Sequence, residues 1–128
     1  MKTRKKPSDD VSEWYRVTVE GGRVMELSWD HLDLTGTIPA FIGSLSALTR
    51  LSLNTNKPTG SIPRELGALK NLTYLDLYQV HTRLSSTIPS TLALLQNLEH
   101  LQLVHKNSLC GEIPPEIGLL DGLVELDL

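Results

Sequence analysis

The sequence has a single cysteine, Cys110, and few aromatic residues. One cysteine excludes an internal disulfide, so the cysteine usage does not require an oxidising compartment. Aromatic residues make up 5% of the chain and hydrophobic residues 40%, so a core has to be built mainly from aliphatic side chains. No apolar run approaches the ~18 residues of a membrane span, and we expect no span.

Positive charge is not in excess either. The chain has 12 Lys and Arg against 15 Asp and Glu, a net charge of -3, which argues against nucleic acid as a partner. The basic start of the chain is not followed by a hydrophobic stretch, so it does not have the form of a secretory signal. We expect residues 1–13 to be a disordered basic and polar tail, with nuclear localisation as the alternative. The expected compartment is the cytoplasm, or the extracellular space if the N-terminus is incomplete.

The motifs of common catalytic sites are missing as well. The chain has no H-E-x-x-H, P-loop, G-x-S-x-G or paired-cysteine spacing. His105 and Cys110 lack a third, orienting group, and Asp30, His31 and Asp33 do not follow the spacing of a standard metal site. We therefore predict a protein that is not an enzyme and that needs no metal or cofactor.

What the sequence does contain is a repeat. The dipeptide Ile-Pro recurs at intervals of 24, 26 and 25 residues, at Ile38-Pro39, Ile62-Pro63, Ile88-Pro89 and Ile113-Pro114. Leucines at strand positions recur with nearly the same spacing, at Leu27, Leu51, Leu75, Leu101 and Leu126. A fixed period of ~20–30 residues indicates stacked supersecondary units.

The sequence of each repeat unit predicts a strand followed by a turn and a short helix. An L-x-L piece sends its leucines inward and the residue between them outward, and stacking places these pieces side by side in a parallel sheet. Proline after isoleucine turns the chain away from the sheet, and apolar residues three apart then favour 3₁₀ or helical geometry. Gly43, Gly67 and Gly118 indicate a positive φ or a close approach between turns. Ala93 replaces this glycine in the third unit, at a cost if φ is positive and at none if the helix is ordinary.

The repeat resembles a known family. The segment Leu48-Thr-Arg-Leu51-Ser-Leu53-Asn-Thr-Asn56 has the leucine-rich-repeat pattern L-x-x-L-x-L-x-x-N, and Gly60-Ser61-Ile62-Pro63 resembles the plant-type ending G-x-I-P-x-x-L-G. Residues 14–128 resemble the ectodomains of plant leucine-rich-repeat receptor-like kinases and receptor-like proteins. The resemblance implies an α/β fold, a right-handed solenoid with a parallel β-sheet on the concave face. The convex face would carry 3₁₀, short helical and turn segments.

The family's asparagine is buried and satisfies backbone groups of adjacent turns. Asn56 stands at this position, and Asn107 does so when counted back from Gly111, whereas Leu32 and Thr82 replace it in other units. The repeat intervals place two extra residues between the third strand and its Ile-Pro, and one in the fourth unit. We therefore expect a broken asparagine ladder and an irregular edge.

The two ends of the array differ. Residues 14–26 resemble the family's N-terminal cap and predict a hairpin that turns at Gly21-Gly22, although Val19 stands where many members have cysteine. Trp14 is predicted to cap the array and Trp29 to lie in the core, with a ligand-stacking pair as the alternative. Residues 27–128 are predicted to form about four and a half repeats without a C-terminal cap. The open end would be lined by Ile117, Leu120, Leu123, Leu126 and Leu128, and it would mark a fragment or a self-association surface.

The outward strand positions are the candidate binding surface. The first column holds Glu26, Arg50, Tyr74, His100 and Glu125, and the second Ser28, Ser52, Asp76, Gln102 and Asp127. A third column holds Asp30, Asn54, Tyr78 and Val104, all expected to be exposed, and a fourth His31, Thr55, Gln79 and His105. The candidate partner-binding residues are Glu26, Arg50, Tyr74, Asp76, Tyr78, His100, Gln102 and His105.

Tyrosines of the third turn suggest the centre of that surface, because tyrosine offers large contact area at low entropic cost. The alternative is that strands favour tyrosine by propensity alone. We predict a non-catalytic protein- or peptide-binding module, in recognition or signalling. The alternatives are an assembly module that self-associates through its C-terminal end, or a fragment of a receptor-like kinase ectodomain. Asn71-Leu72-Thr73 is a glycosylation sequon, relevant if the chain is secreted.

Overall fold

The computed structural model describes residues 15–78, 87–103 and 111–128. Eight strands are described: β1 Val17–Glu20, β2 Arg23–Ser28, β3 Thr35–Thr37, β4 Arg50–Ser52, β5 Lys57–Thr59, β6 Tyr74–Asp76, β7 His100–Gln102 and β8 Glu125–Asp127. The same ranges contain four 3₁₀ helices, at Ala40–Ser44, Arg64–Ala68, Ser90–Leu94 and Pro115–Leu119. Within the described ranges no helix is long and apolar enough to cross a membrane.

Six strands form one sheet in the order β1-β2-β4-β6-β7-β8. The first pair is the predicted antiparallel hairpin, whose turn residues Gly21 and Gly22 both have positive φ, as a tight two-residue hairpin turn requires. All other pairs are parallel. Their register aligns the repeated leucines across the sheet, in the order Leu27, Leu51, Leu75, Leu101 and Leu126. The leucine spacing in the sequence thus equals the register of the sheet, and the fold is the predicted right-handed solenoid.

The core is aliphatic and lies between the sheet and the 3₁₀ helices. Its largest fully buried side chains are all leucines: Leu48, Leu51, Leu66, Leu69, Leu72, Leu75, Leu77, Leu92, Leu95, Leu98 and Leu101. Each contributes on the order of 1.5–3 kcal/mol by its removal from water. Trp29 is partly buried and packs against this core, and its indole Nε1 donates to the carbonyl of Tyr15 at 3.3 Å. Trp29 therefore lies half-buried beside the core, and Trp14 lies outside the described residues.

Each of the 3₁₀ helices in the described residues begins directly after the proline of an Ile-Pro pair. The first bond of each helix closes on that proline's carbonyl, for example from the amide of Ile42 to Pro39 at 3.1 Å and from Leu66 to Pro63 at 3.1 Å. These bonds join residues three apart, which defines 3₁₀ geometry. Proline at the start of the helix costs no hydrogen bond, because an N–H at that position would have no acceptor within the helix.

The helix glycines are required for close packing between turns. At Gly43 a Cβ would lie 2.3 Å from the carbonyl oxygen of Glu65, and at Gly67 it would lie 2.3 Å from that of Thr91. Neither glycine has a positive φ, so the close-approach prediction is confirmed for these two and the positive-φ prediction is wrong. At Gly118 a Cβ would meet nothing within 4 Å. Ala93 likewise lies in an ordinary right-handed helix.

A second, two-stranded sheet was not predicted. β3 pairs in parallel with β5, with Gly36 opposite Pro58, and Lys57 forms an exposed ion pair with Asp33 at 2.7 Å. These short strands lie between the main sheet and the Ile-Pro turns of the first two units. The corresponding parts of the next two units, with the predicted insertions, lie outside the described residues.

Asn56 is fully buried and joins neighbouring turns. Its Oδ1 accepts from the amides of Leu32 and Leu34, each at 3.1 Å, and its Nδ2 donates to the carbonyls of Trp29 and, at 2.8 Å, Leu53. Asn56 therefore bonds backbone groups of two neighbouring turns. Asn107 lies outside the described residues.

The C-terminal turn is more exposed than the turns before it. Leu126 is 48% exposed, whereas its counterparts Leu75 and Leu101 are fully buried. Further apolar side chains exposed in this turn are Ile113, Leu119 and Val124. Ile117 and Leu120, which were expected to line an open end, are buried instead, because they belong to the core cluster. Of the other predicted residues, Leu123 and Leu128 are partly buried against the core. Leu126 is thus the predicted residue that contributes most to the exposed apolar surface.

Candidate functional site

The predicted outward columns are real cross-strand neighbours. Glu26, Arg50, Tyr74, His100 and Glu125 pair successively along the sheet, and we call this set the concave row. Neighbouring members stand about 4.8 Å apart at the backbone, because that is the spacing of strands in a sheet. The second column, from Ser28 to Asp127, is also in the predicted register. The sheet therefore holds one side chain from each turn at a fixed spacing.

The centre of the concave row is a stack of three side chains. The guanidinium carbon of Arg50 lies 3.6 Å from the ring centroid of Tyr74. On the other side the rings of Tyr74 and His100 have centroids 5.5 Å apart and are tilted by 43°. A cation over an aromatic face contributes ~0.5–1 kcal/mol at an exposed site and ~2 kcal/mol when desolvated. The stack orders three large side chains without a partner.

One end of the concave row is held by a carboxylate. Oε2 of Glu125 lies 3.0 Å from Nδ1 of His100, and the amide of Gln102 donates to Oε1 at 2.7 Å. The hydrogen bond from His100 and then that from Gln102 lower the pKa of Glu125. Glu125 thus fixes the His100 ring at the end of the stack and stays charged to lower pH than an ordinary glutamate.

Asp76 is placed differently from its prediction. It lies in an outward column, but it is 3% exposed and so offers no contact area to a partner. Its carboxylate accepts from the amide of Tyr78 at 2.8 Å and from Nδ2 of Asn54 at 3.1 Å, and the hydroxyl of Tyr74 lies 3.5 Å away. Burial raises the pKa of Asp76 against these hydrogen bonds. Asp76 therefore contacts both tyrosines, through the hydroxyl of Tyr74 and the backbone amide of Tyr78.

A second carboxylate, that of Asp30, belongs to the same hydrogen-bond network as Asp76. Asp30 accepts from the hydroxyl of Ser52 and, at 3.0 Å, from the amide of Asn54. Ser52 is 1% exposed and also lies 3.5 Å from Asp76. Asp30, Ser52 and Asn54 were read from the sequence as separate outward residues. The sequence signal for the network is that polar residues occupy the same two repeat positions in successive turns.

The other predicted residues lie around the stack. Tyr78 is half-buried just after β6, and Gln102 is half-buried beside His100. Glu26 is half-buried and accepts from the hydroxyl of Thr18 at 3.2 Å. His105 lies outside the described residues.

Two depressions lie near the first turn. One, of about 410 Å³, opens on the concave side beside Glu26 and is lined by Arg16, Thr18, Glu26, Ser28, Asp30, His31 and Asn54. The other, of about 390 Å³, is apolar and lies between the hairpin and the first turn, with Val17, Trp29 and Phe41 among its lining residues. The apolar cavity lies behind the sheet and is separate from the concave row.

Similar solved structures are plant receptor ectodomains. The leucine-rich-repeat ectodomain of the membrane receptor kinase GASSHO1/SCHENGEN3 from Arabidopsis thaliana, in complex with CASPARIAN STRIP INTEGRITY FACTOR 2, matches with a TM-score of 0.86 and 33% identity over 91% of this chain. The BIR2 ectodomain from Arabidopsis thaliana matches with a TM-score of 0.80 and 29% identity over 89%. The ectodomain of the receptor kinase SOBIR1 from Arabidopsis thaliana matches with a TM-score of 0.78 and 29% identity over 90%.

The chain is short beside these proteins. It covers 14% of the GASSHO1/SCHENGEN3 ectodomain, 60% of BIR2 and 67% of SOBIR1. No protein-family model and no curated protein matches the sequence. The match therefore rests on the geometry above: leucines in register, 3₁₀ helices that begin at Ile-Pro, and a buried asparagine between turns. The chain is a plant-type leucine-rich-repeat solenoid, built like a short stretch of the ectodomain of a plant receptor kinase.

Proposed function

We propose that the protein is a non-catalytic module that binds a protein or peptide on its concave row, in recognition or signalling. The observation that carries this proposal is the ordered stack of Arg50, Tyr74 and His100 on adjacent parallel strands. A partner that meets side chains already held in place loses less conformational entropy on binding. The similar GASSHO1/SCHENGEN3 ectodomain, solved in complex with CASPARIAN STRIP INTEGRITY FACTOR 2, supports the same use of the scaffold.

Tyr74 and Tyr78 are the proposed anchors. They are four residues apart, Tyr74 in β6 and Tyr78 just after it. The carboxylate of Asp76 lies 3.5 Å from the Tyr74 hydroxyl and accepts from the Tyr78 amide. Arg50 and His100 enclose the Tyr74 ring and limit its movement. Rigid aromatic residues surrounded by polar ones are the usual hot spots of binding surfaces. Glu26 and Gln102 would then form the polar rim.

The test uses the full chain against a displayed library of random peptides. Binders selected on the wild type should lose at least ~2 kcal/mol of affinity, about 30-fold in Kd, when Tyr74→Ala and Tyr78→Ala are combined. The matched control is Tyr15→Ala. Tyr15 is 67% exposed and also carries an arginine over its ring, Arg16 at 5.0 Å, but it lies off the concave row. An equal loss of peptide affinity in Tyr15→Ala, or no loss of affinity in the double variant, would contradict the proposal.

We propose further that the protein acts outside the cell. The sequence suggested the cytoplasm, but the similar solved structures are ectodomains, which favours the extracellular alternative. Fractionation of the cells that naturally express the gene, with an antibody to the solenoid, should place the protein in the extracellular or membrane-bound fraction. A protein confined to the cytosol would contradict this location and leave the binding proposal standing.

Self-association is the second candidate, and the exposure of the C-terminal turn favours it. Ile113, Leu119 and Val124 are each more than half exposed there, and Leu126 is 48% exposed. Clustered apolar side chains on a surface mark an interaction site. In this alternative a second copy of the chain would cover them.

A further inference from the structure

One sequence feature lies apart from the concave row. Asn71-Leu72-Thr73 is the one Asn-x-Ser/Thr sequon of the chain. Asn71 is exposed in the turn between the second 3₁₀ helix and β6. It lies at the strand-entry edge, the side of the solenoid from which the chain enters the parallel strands. A shallow depression of about 620 Å³ lies along this edge, lined by Arg23, Met25, Ser46, Ala47, Thr49, Asn71, Thr73, Asn97 and Glu99.

The solenoid repeats the geometry of Asn71 one turn further on. Nδ2 of Asn71 donates to the carbonyl of Ser46 at 2.8 Å, and Nδ2 of Asn97 donates to the carbonyl of Lys70 at 2.7 Å. Both asparagines are exposed and precede a strand by three residues. Only the first is followed at the second position by a hydroxyl residue, since Glu99 stands where Thr73 stands in the turn before. The hydrogen bond to the preceding turn therefore explains the asparagine at both positions. It does not explain the sequon, which is present at Asn71 and not at Asn97.

We propose that Asn71 is an N-glycosylation site of the secreted protein, an inference that rests on the proposed extracellular location. The donor is an oligosaccharide on a lipid pyrophosphate. A bond forms between Nδ2 of Asn71 and the first sugar carbon, the bond from that carbon to the pyrophosphate oxygen breaks, and the lipid pyrophosphate leaves. One amide proton is lost to the transferase. Nδ2 keeps its other hydrogen, so a donor to the carbonyl of Ser46 remains.

A glycan at Asn71 has a consequence for binding. It covers the strand-entry edge, where the depression would otherwise offer polar groups to a partner. The opposite, strand-exit edge stays open, and Tyr78 lies there, just after β6. The glycan therefore restricts a partner of the concave row to approach from the front or from the strand-exit edge.

The experiment expresses the full chain behind a cleavable secretion signal in a eukaryotic host. The secreted protein should carry one glycan, removed by an amidase that converts Asn71 to aspartate, as read by intact mass and peptide mapping. Asn71→Gln and Thr73→Ala should each abolish the glycan. Thr73→Ser should keep it, because the hydroxyl is retained.

Glu99→Thr supplies the matched gain of function. It places a hydroxyl residue two positions after Asn97, and a second glycan is expected there. A secreted wild type without glycan would overturn the inference, most sharply if Glu99→Thr becomes glycosylated on Asn97 alone. Peptide capture by unglycosylated protein from bacteria is measured separately, so failure at Asn71 leaves the concave-row proposal untouched.

Discussion

At the residue scale, the buried side chain of Asn56 joins two neighbouring turns. Asn56 bonds five backbone groups from two turns. Asn56→Ala should lower the free energy of unfolding by ~1–3 kcal/mol, because it leaves buried amides and carbonyls without partners. Chemical denaturation measures this loss.

The control for that variant has to be chosen from the structure. Asn54 was expected to be exposed, but it is half-buried and its side-chain amide donates to Asp76. Asn97 is exposed and makes one bond to a carbonyl, so Asn97→Ala should cost less than ~1 kcal/mol. Equal denaturation midpoints for Asn56→Ala and Asn97→Ala would show that Asn56 is dispensable.

Asp76 links the stability of the solenoid to pH. Burial raises its pKa in the folded state above the ordinary value of 3.8, so the folded protein holds this proton more tightly than the unfolded chain. The contribution of Asp76 to stability is therefore fully present below pH 3.8 and is lost as pH rises through the folded pKa.

Asp76→Asn removes this pH dependence, because an amide does not titrate. The free energy of unfolding of Asp76→Asn minus that of the wild type should become more positive as pH rises from 3.8 towards neutrality. Urea denaturation at several pH values measures it. A difference that stays constant, or that falls with pH, would contradict the raised pKa.

At the element scale the spacing between turns is set by glycine in the 3₁₀ helices. Gly67→Ala would bring a Cβ to 2.3 Å from the carbonyl of Thr91, so the third turn must shift. We expect a loss of ~1–3 kcal/mol, typical of overpacking. Gly118→Ala is the matched control at the same repeat position, where a Cβ meets nothing within 4 Å and φ is not positive. Thermal denaturation should show Gly67→Ala destabilised and Gly118→Ala unchanged or slightly more stable.

The sequence predicted the sheet better than it predicted the binding surface. Strand register could be read from leucine spacing, because inward positions recur with period two and each turn repeats them. The burial of Asp76 could not be read in this way, since it depends on Tyr74 and Asn54 from neighbouring positions closing over it. Likewise the pairing of β3 with β5 depends on loop geometry, with Gly36 and Gly60 at positive φ, rather than on an apolar pattern.

At the scale of the whole molecule there are two candidate interaction surfaces, the concave row and the C-terminal turn. The concave row is polar and aromatic, and its side chains already bind one another. The C-terminal turn is apolar, with Val124 77% exposed and Leu126 48% exposed. The concave row occupies outward strand positions, whereas Leu126 is in register with the inward Leu101. Charge placed on the C-terminal turn should therefore leave peptide capture by the concave row intact.

Self-association through the C-terminal turn is tested by replacing exposed apolar residues with lysine. Leu126 and Leu128 are two of the residues that the sequence predicts at the open end. Leu128 packs partly against the core, so Val124→Lys with Leu126→Lys perturbs the fold less. If the second candidate function holds, the wild type should form dimers or larger species in light scattering at micromolar concentration. The double variant should be monomeric, because lysine at the contact must lose its hydration. Phe41→Lys, at a residue 69% exposed in the first turn, is the control and should leave association unchanged. A monomeric wild type would remove the assembly role, and the concave row would remain the proposed functional surface.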